Sequence, residues 1–337
     1  MAKPQSHPPF TPFIARVETA ERLAPHVMRI TFTGPELHHV ANTGYDQRIK
    51  LLLPLADDPQ WEHSPLLSEE CRTQGTWWDV WRSLPVNQRN PIRTYTLRDV
   101  TADGRVIIDF ALHAPAGPAG TFAANAQPGN TVVLVAPDAR SSTYGGGIDF
   151  HPGIASQVLL VGDETAAPAI GGIVDSLARA GWPGRVTAFV ETPAREDHWP
   201  MTGLPDGRST ILWMPRDGRE RGADLVEQVR GWASSHPQLF TTRWRKTGTA
   251  TGPAAPSPSD FTEADIDREL LWETPGEGVP TAGQLPKLAT GSDGFYAWVA
   301  GEAAVVRDIR RVLLRDHGLD RRRAAFMGYW RAGRAEN

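Results

Sequence analysis

Residues 93–100 read RTYTLRDV and follow the Pro-bounded segment LPVNQRNPI (84–92). Thr, Tyr, Thr and Leu suit an extended strand. On a strand, residues two apart share a face, so Arg93 and Tyr95 point the same way. A guanidinium grips a phosphate through two parallel hydrogen bonds, and a tyrosine beside it offers a flat surface to an aromatic ring. A phosphorylated, ring-bearing ligand meets both demands. Thr96 points to the other face, leaving its backbone amide and carbonyl for the polar edge of the ring. An Arg and a Tyr on one strand also make an ordinary surface pair, so the neighbouring segments decide between the readings.

Working outward, VMRITFT (27–33), IKLLL (49–53), RTYTL (93–97), RVIIDFAL (105–112) and TVVLV (131–135) are short apolar or β-branched runs separated by Gly, Pro, Asp and Asn. They predict a small antiparallel β-barrel over residues 10–150. Between the second and third runs lies a long insertion, near 55–90, in which TWWDVWRSL (76–84) predicts a short helix with its tryptophans packed inward. From Gln157 the pattern changes. QVLLV (157–161) runs into a helix whose one face is Ala166, Ile170, Ile173, Val174 and Leu177, with Gly181 as its C-terminal stop. RVTAFVET (185–192) and STILWM (209–214) predict two further buried strands, and FYAWVAG (295–301) another, followed by a helix carrying Val305, Ile309, Val312 and Leu313. Strand–helix alternation predicts a parallel α/β domain over 151–334, of the kind that binds nucleotides. Within it a flexible insertion is expected near 216–290, because TGTATGPAAPSPSD (247–260) has no charge before Asp260.

Composition narrows the functions available. The chain has 337 residues, and its net charge of −4 gives no basic field for a nucleic acid. One cysteine, Cys71, excludes an internal disulfide, a cysteine-built zinc site and iron–sulfur ligation, so no protein metal site is expected and redox chemistry needs an organic cofactor. No apolar run reaches the length of a membrane span, and the first residues lack a signal-peptide core. A cytoplasmic protein, without a membrane or nucleic-acid partner, is the expectation.

Two further segments carry candidate chemistry. DFALHAPAGPAGTFAANAQPGN (109–130) leaves a strand through His113, crosses a Gly/Pro-rich turn and enters a helix start at Gly120, Thr121 and Phe122, whose amides suit a pyrophosphate. A plain strand-to-helix connection reads the same way, and His113 alone is an ordinary structural histidine. VGDETAAPAI (161–170) lacks the Gly-x-Gly-x-x-Gly fingerprint and instead puts Asp163, Glu164 and Thr165 where a strand meets a helix. Acidic residues there serve a nucleotide ribose or simply cap the helix.

The ordered set RTYTLR, ALHAPAGPAG, VGDETAAPAI, YAWVAGEAAVVRDIRR and FMGYWRAG resembles the siderophore-interacting protein family, the FAD-dependent ferric-siderophore reductases of the ferredoxin–NADP reductase-like superfamily. The resemblance covers roughly residues 13–215 and 291–334. It implies an FAD-binding β-barrel joined to an NAD(P)H-binding α/β domain. In that family's pattern Arg93, Tyr95 and Thr96 would hold the flavin and its phosphate, and His113 with the turn Gly117, Ala119, Gly120 and Thr121 would lie along the rest of FAD. Asp163, Glu164 and Thr165 would sit near the adenine or nicotinamide, and Gly301 and Glu302 would line the nicotinamide approach. Lys50, Arg140 and Arg331 match cationic positions that meet the anionic ferric siderophore.

The chemistry implied is hydride from a nicotinamide to the flavin, then single electrons to Fe(III), with no acid, base or nucleophile from the protein. Fe(II) leaves a hard-oxygen chelator more readily, so reduction releases it. For the co-substrate, Glu191 would accept from a ribose hydroxyl and favour NADH, whereas Arg195 would pair with a 2′-phosphate and favour NADPH; the balance tips to NADH. A ferredoxin-type protein remains an alternative electron donor, and a monomer is expected. Two other functions stay open on the residues: a flavin reductase serving an electron-carrier protein, and a siderophore-binding module without catalysis.

Overall fold

The computed structural model describes residues 7–55, 64–143, 146–241, 271–275, 288 and 294–333. The chain forms two compact units, one dominated by Met1–Ile148 and the other by Asp149–Glu277 and Pro286–Arg334.

The first unit contains strands β1 (Phe10–Ala24), β2 (Val27–Thr33) and β3 (Arg48–Leu52), then helices α1 (Glu69–Gln74) and α2 (Trp77–Ser83). Strands β4 (Ile92–Thr96), β5 (Asp99–Val100) and β6 (Val106–Ala111), helix α3 (Pro118–Ala124) and strand β7 (Thr131–Pro137) follow. The seven strands form one antiparallel sheet in the order β4-β3-β7-β1-β2-β6-β5. Its two outermost strands, β4 and β5, are joined by Leu97 and Arg98 alone, and the Arg98 amide donates to Ile107 at 3.0 Å, so the sheet curls round on itself.

Alternation decides which residues fill the interior. On β7, Val132, Leu134 and Ala136 join Phe13, Ile30, Phe32, Ile49, Leu51 and Phe110 in the barrel core. Val133 and Val135 point the other way, where with Leu52 they are covered by Trp77, Val80, Trp81 and Leu84 of the insertion. Each such apolar side chain withdrawn from water contributes about 1.5–3 kcal/mol, which seats the short helices that their length could not sustain alone. Two of the tryptophans pack inward as expected. Trp78 does not: it is 43% exposed and stacks on Trp81, with ring centroids 5.1 Å apart.

The second unit has a six-stranded sheet in the order β10-β9-β8-β12-β13-β11. Its elements are β8 (Ala155–Gly162), α4 (Ala167–Arg179), β9 (Arg185–Thr192), β10 (Ser209–Pro215), α5 (Ala223–Ser235), α6 (Gln238–Thr241), β11 (Trp272–Glu273), β12 (Gly294–Glu302), α7 (Ala303–Arg310) and β13 (Ala324–Trp330). All neighbours are parallel except β11, which runs antiparallel to β13. α7 continues as a π-helical stretch, Arg311–Asp316. From β8 the chain proceeds outward to β9 and β10, then returns to the other side of β8 for β12 and β13. The order reverses at β8 and β12, and the crevice at the carboxyl ends of such a pair is where open α/β sheets bind ligands.

Two expectations need correction. The segment near 216–290 is not uniformly an insertion: α5 lies in it, and its Leu225, Val229 and Ala233 are part of the core. The expected loop at 247–260 lies outside the described residues. STILWM was expected to be a buried strand, yet β10 is the terminal strand of its sheet and leaves Leu212 42% exposed. No helix among the described residues is long and apolar enough to cross a membrane.

Candidate functional site

In the first unit, the cross-strand pairs Leu51 with Arg93 and Ile49 with Tyr95 put Arg93 and Tyr95 on one face, as their spacing requires. The Tyr95 ring lies against Phe110, centroids 4.5 Å apart, and is half-buried. Arg93 donates to the Ile92 carbonyl at 2.8 Å, and no carboxylate among the described residues pairs with it. Thr96 is buried at the end of the strand. His113 is exposed just beyond β6, where the chain turns toward α3.

That helix begins at Gly117, with Pro118 in its first turn, no side-chain cap and no acidic residue. The first amides of a helix have no intrahelical acceptor, so those of Ala119 and Gly120 stand at its start, while Thr121 is exposed one step on and donates its amide to Gly117. A methyl placed on Gly117 would meet nothing within 4 Å. An unneutralised guanidinium, a seated aromatic face and an open, acid-free helix start are what a dinucleotide carrying a ring and a pyrophosphate needs. The residues fit FAD.

The three cations expected at the substrate are placed differently from one another. Lys50 pairs across the sheet with Thr94, on the face opposite Arg93 and Tyr95, and its Nζ donates to the Thr94 hydroxyl at 2.7 Å. Arg140 is held by Asp138, with Nε–Oδ1 at 2.9 Å and Nη2–Oδ2 at 2.7 Å, so its charge is already answered within the fold. Burial alone would raise the Asp138 pKa, but the Arg140 hydrogen bonds outweigh it and hold this carboxyl below its usual range. Arg331, in the second unit, is half-buried directly after β13.

In the second unit, Asp163, Glu164, Thr165, Gly301 and Glu302 do converge, at the carboxyl ends of β8 and β12. Asp163 is almost wholly buried and accepts four hydrogen bonds: from the Thr165 amide (2.9 Å) and hydroxyl (2.6 Å), the Glu302 amide (2.8 Å) and Trp330 Nε1 (2.9 Å). Burial and the neighbouring Glu164 push its pKa up. With every partner a donor, the ionised form is nevertheless the one the site is built around. Gly301 has φ +142°, and a Cβ there would lie 2.8 Å from the Asp163 carboxyl, so only glycine allows this approach. Glu302 caps α7, its Oε2 accepting from Ala304 (2.7 Å) and Val305 (3.1 Å), while its Oε1 accepts from Ala332 at 3.2 Å.

Reading the sequence missed the cations that hold this cluster. Arg216 bonds Glu164 at 2.9 Å and Glu191 at 3.0 Å, and Arg221 bonds Glu164 at 2.9 Å while lying 4.6 Å over the Trp330 ring. Burial works against ionisation of Glu164, but the two arginines overcome it and hold its pKa low. Glu191 accepts from Arg216 and from the Gly222 amide (2.8 Å) and is 2% exposed. It is therefore a buried tie between loops, and the expectation that it accepts from a ribose hydroxyl is corrected. Arg195, in contrast, is exposed. Beside these loops, β9, β10 and α5 line an open pocket of about 460 Å³ with Phe189, Leu212, Met214, Arg219, Asp224 and Glu227, among others. No cluster of His, Cys, Asp and Glu suited to a metal occurs among the described residues.

Comparison with known proteins covers both units. Residues 16–141 match the siderophore-interacting FAD-binding domain, and residues 155–333 match the siderophore-interacting protein profile. The chain belongs to the siderophore-interacting protein family. An uncharacterised protein of Mycobacterium tuberculosis is 29% identical over 325 residues, covering 95% of this chain and 90% of the relative. The ferric vibriobactin reductase of Vibrio cholerae is 22% identical over 317 residues, covering 92% and 86%. The crystal structure of the siderophore-interacting protein SipS from Aeromonas hydrophila superposes with a TM-score of 0.60 at 23% identity, covering 98% of this chain and 95% of that one. The fold is ferredoxin reductase-like, as expected from the sequence.

Proposed function

We propose that this protein is an NAD(P)H-dependent ferric-siderophore reductase that uses FAD. The observation that carries the reading is the pairing of Arg93 and Tyr95 on β4 with the acid-free start of α3, inside a domain of the siderophore-interacting FAD-binding type. The ferric vibriobactin reductase among the relatives supports the substrate class.

Bound FAD would supply what no side chain offers, acceptance of a hydride and delivery of single electrons. One NAD(P)H and two ferric chelates balance to NAD(P)⁺, a proton and two ferrous ions. The protein's part is binding and orientation. Arg93 holds phosphate, Tyr95 presents its ring to the flavin, and Ala119 and Gly120 offer amides to the pyrophosphate. Asp163 orders the end of β12 through the Glu302 amide, and with Glu302 fixes the crevice that receives the nicotinamide. Lys50, Arg140 and Arg331 are the candidate cations for the chelate; the Arg140 guanidinium is committed to Asp138 and the Lys50 ammonium bonds the Thr94 hydroxyl.

The test is stopped-flow spectroscopy of the purified flavoprotein, reduced by NADH or NADPH and mixed with a panel of ferric hydroxamates and catecholates. Reoxidation within the mixing experiment by at least one chelate is expected. Reoxidation by a flavodoxin or ferredoxin only would make the protein a reductase of electron carriers, and properly folded protein that takes up no FAD would end the proposal.

A further inference from the structure

We infer that the pyridine nucleotide is NADH rather than NADPH, and that an acidic rim at the carboxyl ends of β9 and β10 makes the choice. The inference rests on the proposed function and specifies its electron donor.

In open α/β sheets of this kind the adenosine ribose meets the loop after the second strand of the nucleotide-binding unit, here β9. The loops after β9 and β10 are stitched together: Arg216 donates its amide to Thr192 at 2.8 Å, Asp217 to Pro193 at 3.2 Å, and the Arg195 amide reaches the Asp217 carboxylate at 3.2 Å. Beside them lies an open pocket whose Phe189, Leu212 and Met214 would take an adenine, next to Arg219, Asp224, Glu227 and Gln228.

What these loops present is decided by which charges are already matched. Arg216 and Arg221 turn inward onto Glu164, and Arg216 onto Glu191 as well. Of the outward arginines, Arg195 faces Asp217 at 3.8 Å and Arg219 is paired with Asp224. Glu196 and Glu220 are exposed and meet no cation among the described residues. The outer rim thus carries Glu196, Asp217, Glu220 and Asp224 against Arg195 and Arg219. A 2′-phosphate would bring further negative charge to a surface already in acid excess, where Arg219 is paired with Asp224 and Arg195 lies 3.8 Å from the Asp217 carboxylate. A 2′-hydroxyl finds carboxylates able to accept from it.

The experiment compares NADH and NADPH as reductants of the bound flavin and, separately, measures binding of NAD⁺, NADP⁺, 5′-AMP and 2′,5′-ADP to the holoprotein by calorimetry. We expect NADH to lead NADPH by about tenfold or more in kcat/KM at low salt, with the gap narrowing as ionic strength rises, because exposed charges are screened. Glu196→Lys with Glu220→Lys, two surface changes outside the bonded cluster, should reduce the ratio by about tenfold, chiefly through the KM for NADPH. Equal or better use of NADPH by the parent protein, or a ratio unmoved by salt and by the double substitution, overturns the inference while leaving the reductase reading intact. Failure of both nucleotides to bind overturns it together with the donor assigned above.

Discussion

Replacing Arg93 with alanine tests the cofactor site at its most specific point. Among the described residues the Arg93 guanidinium bonds the Ile92 carbonyl and meets no carboxylate, so its removal leaves no buried acid there without a counter-charge. Folding stability should therefore stay within about 0.5 kcal/mol of the parent. A phosphate, in contrast, would lose a charged hydrogen bond contributing about 1.5–3 kcal/mol. At about 1.4 kcal/mol per factor of ten, that is a rise of roughly 10- to 150-fold in the Kd for FAD. The assay is titration of flavin-stripped protein with FAD, followed by quenching of flavin fluorescence, beside a urea unfolding curve of the same preparation. Arg93→Lys should fall between the two, since it keeps the charge and loses the planar fork. A Kd within twofold of the parent refutes the phosphate role, and an equal fall in stability would mark Arg93 as structural.

Three further outcomes follow from the geometry. Arg216→Met leaves Glu191 buried with only the Gly222 amide, and should destabilise the second unit by about 3–5 kcal/mol in urea unfolding, with Glu191→Gln added to it restoring part of the loss. Gly301→Ala should lower the melting temperature and disrupt the crevice, because φ +142° is strained for alanine and the new Cβ meets Asp163 at 2.8 Å; a variant as stable as the parent would contradict this approach. The Asp138 carboxyl titrates below the ordinary aspartate range in the fold, so its pairing with Arg140 stabilises fully above about pH 5 and fades as pH falls through and below 4. Arg140→Gln should therefore cost more stability at pH 7 than at pH 3, and an equal cost at both would rule out the ion pair as the source.

Much of the architecture is legible because its elements announce themselves locally. β2, β4, β6 and β7 alternate or run apolar between Gly, Pro, Asp and Asn, and α4 shows its face at Ile170, Ile173, Val174 and Leu177. β1 hides: its second half, RVETAERLA (16–24), is rich in charge and good helix formers, and it is extended because β2 pairs along it from Arg16 to Ala24, while β7 pairs with the first half, Phe10 to Arg16. α5 hides behind charge too, although Leu225, Val229 and Ala233 recur every fourth residue. The candidate site divides in the same way. Arg93 with Tyr95, and Asp163 with Thr165, are neighbours along the chain and readable from it. Arg216 and Arg221 meet Glu164 across 52 and 57 residues, a distance at which a single sequence carries no signal. Glu191 was misread for the same reason, since its matching cation is 25 residues away.

Asp163 gathers donors from three separate places in the second unit: the turn after β8, the tip of β12 and the last residue of β13. A single carboxylate thus acts as a knot, and slack in any one strand end is passed to the other two. The Thr165 and Glu302 amides and the Trp330 indole proton should exchange with deuterium at one common rate, set by the undoing of that knot rather than by the fraying of separate loops.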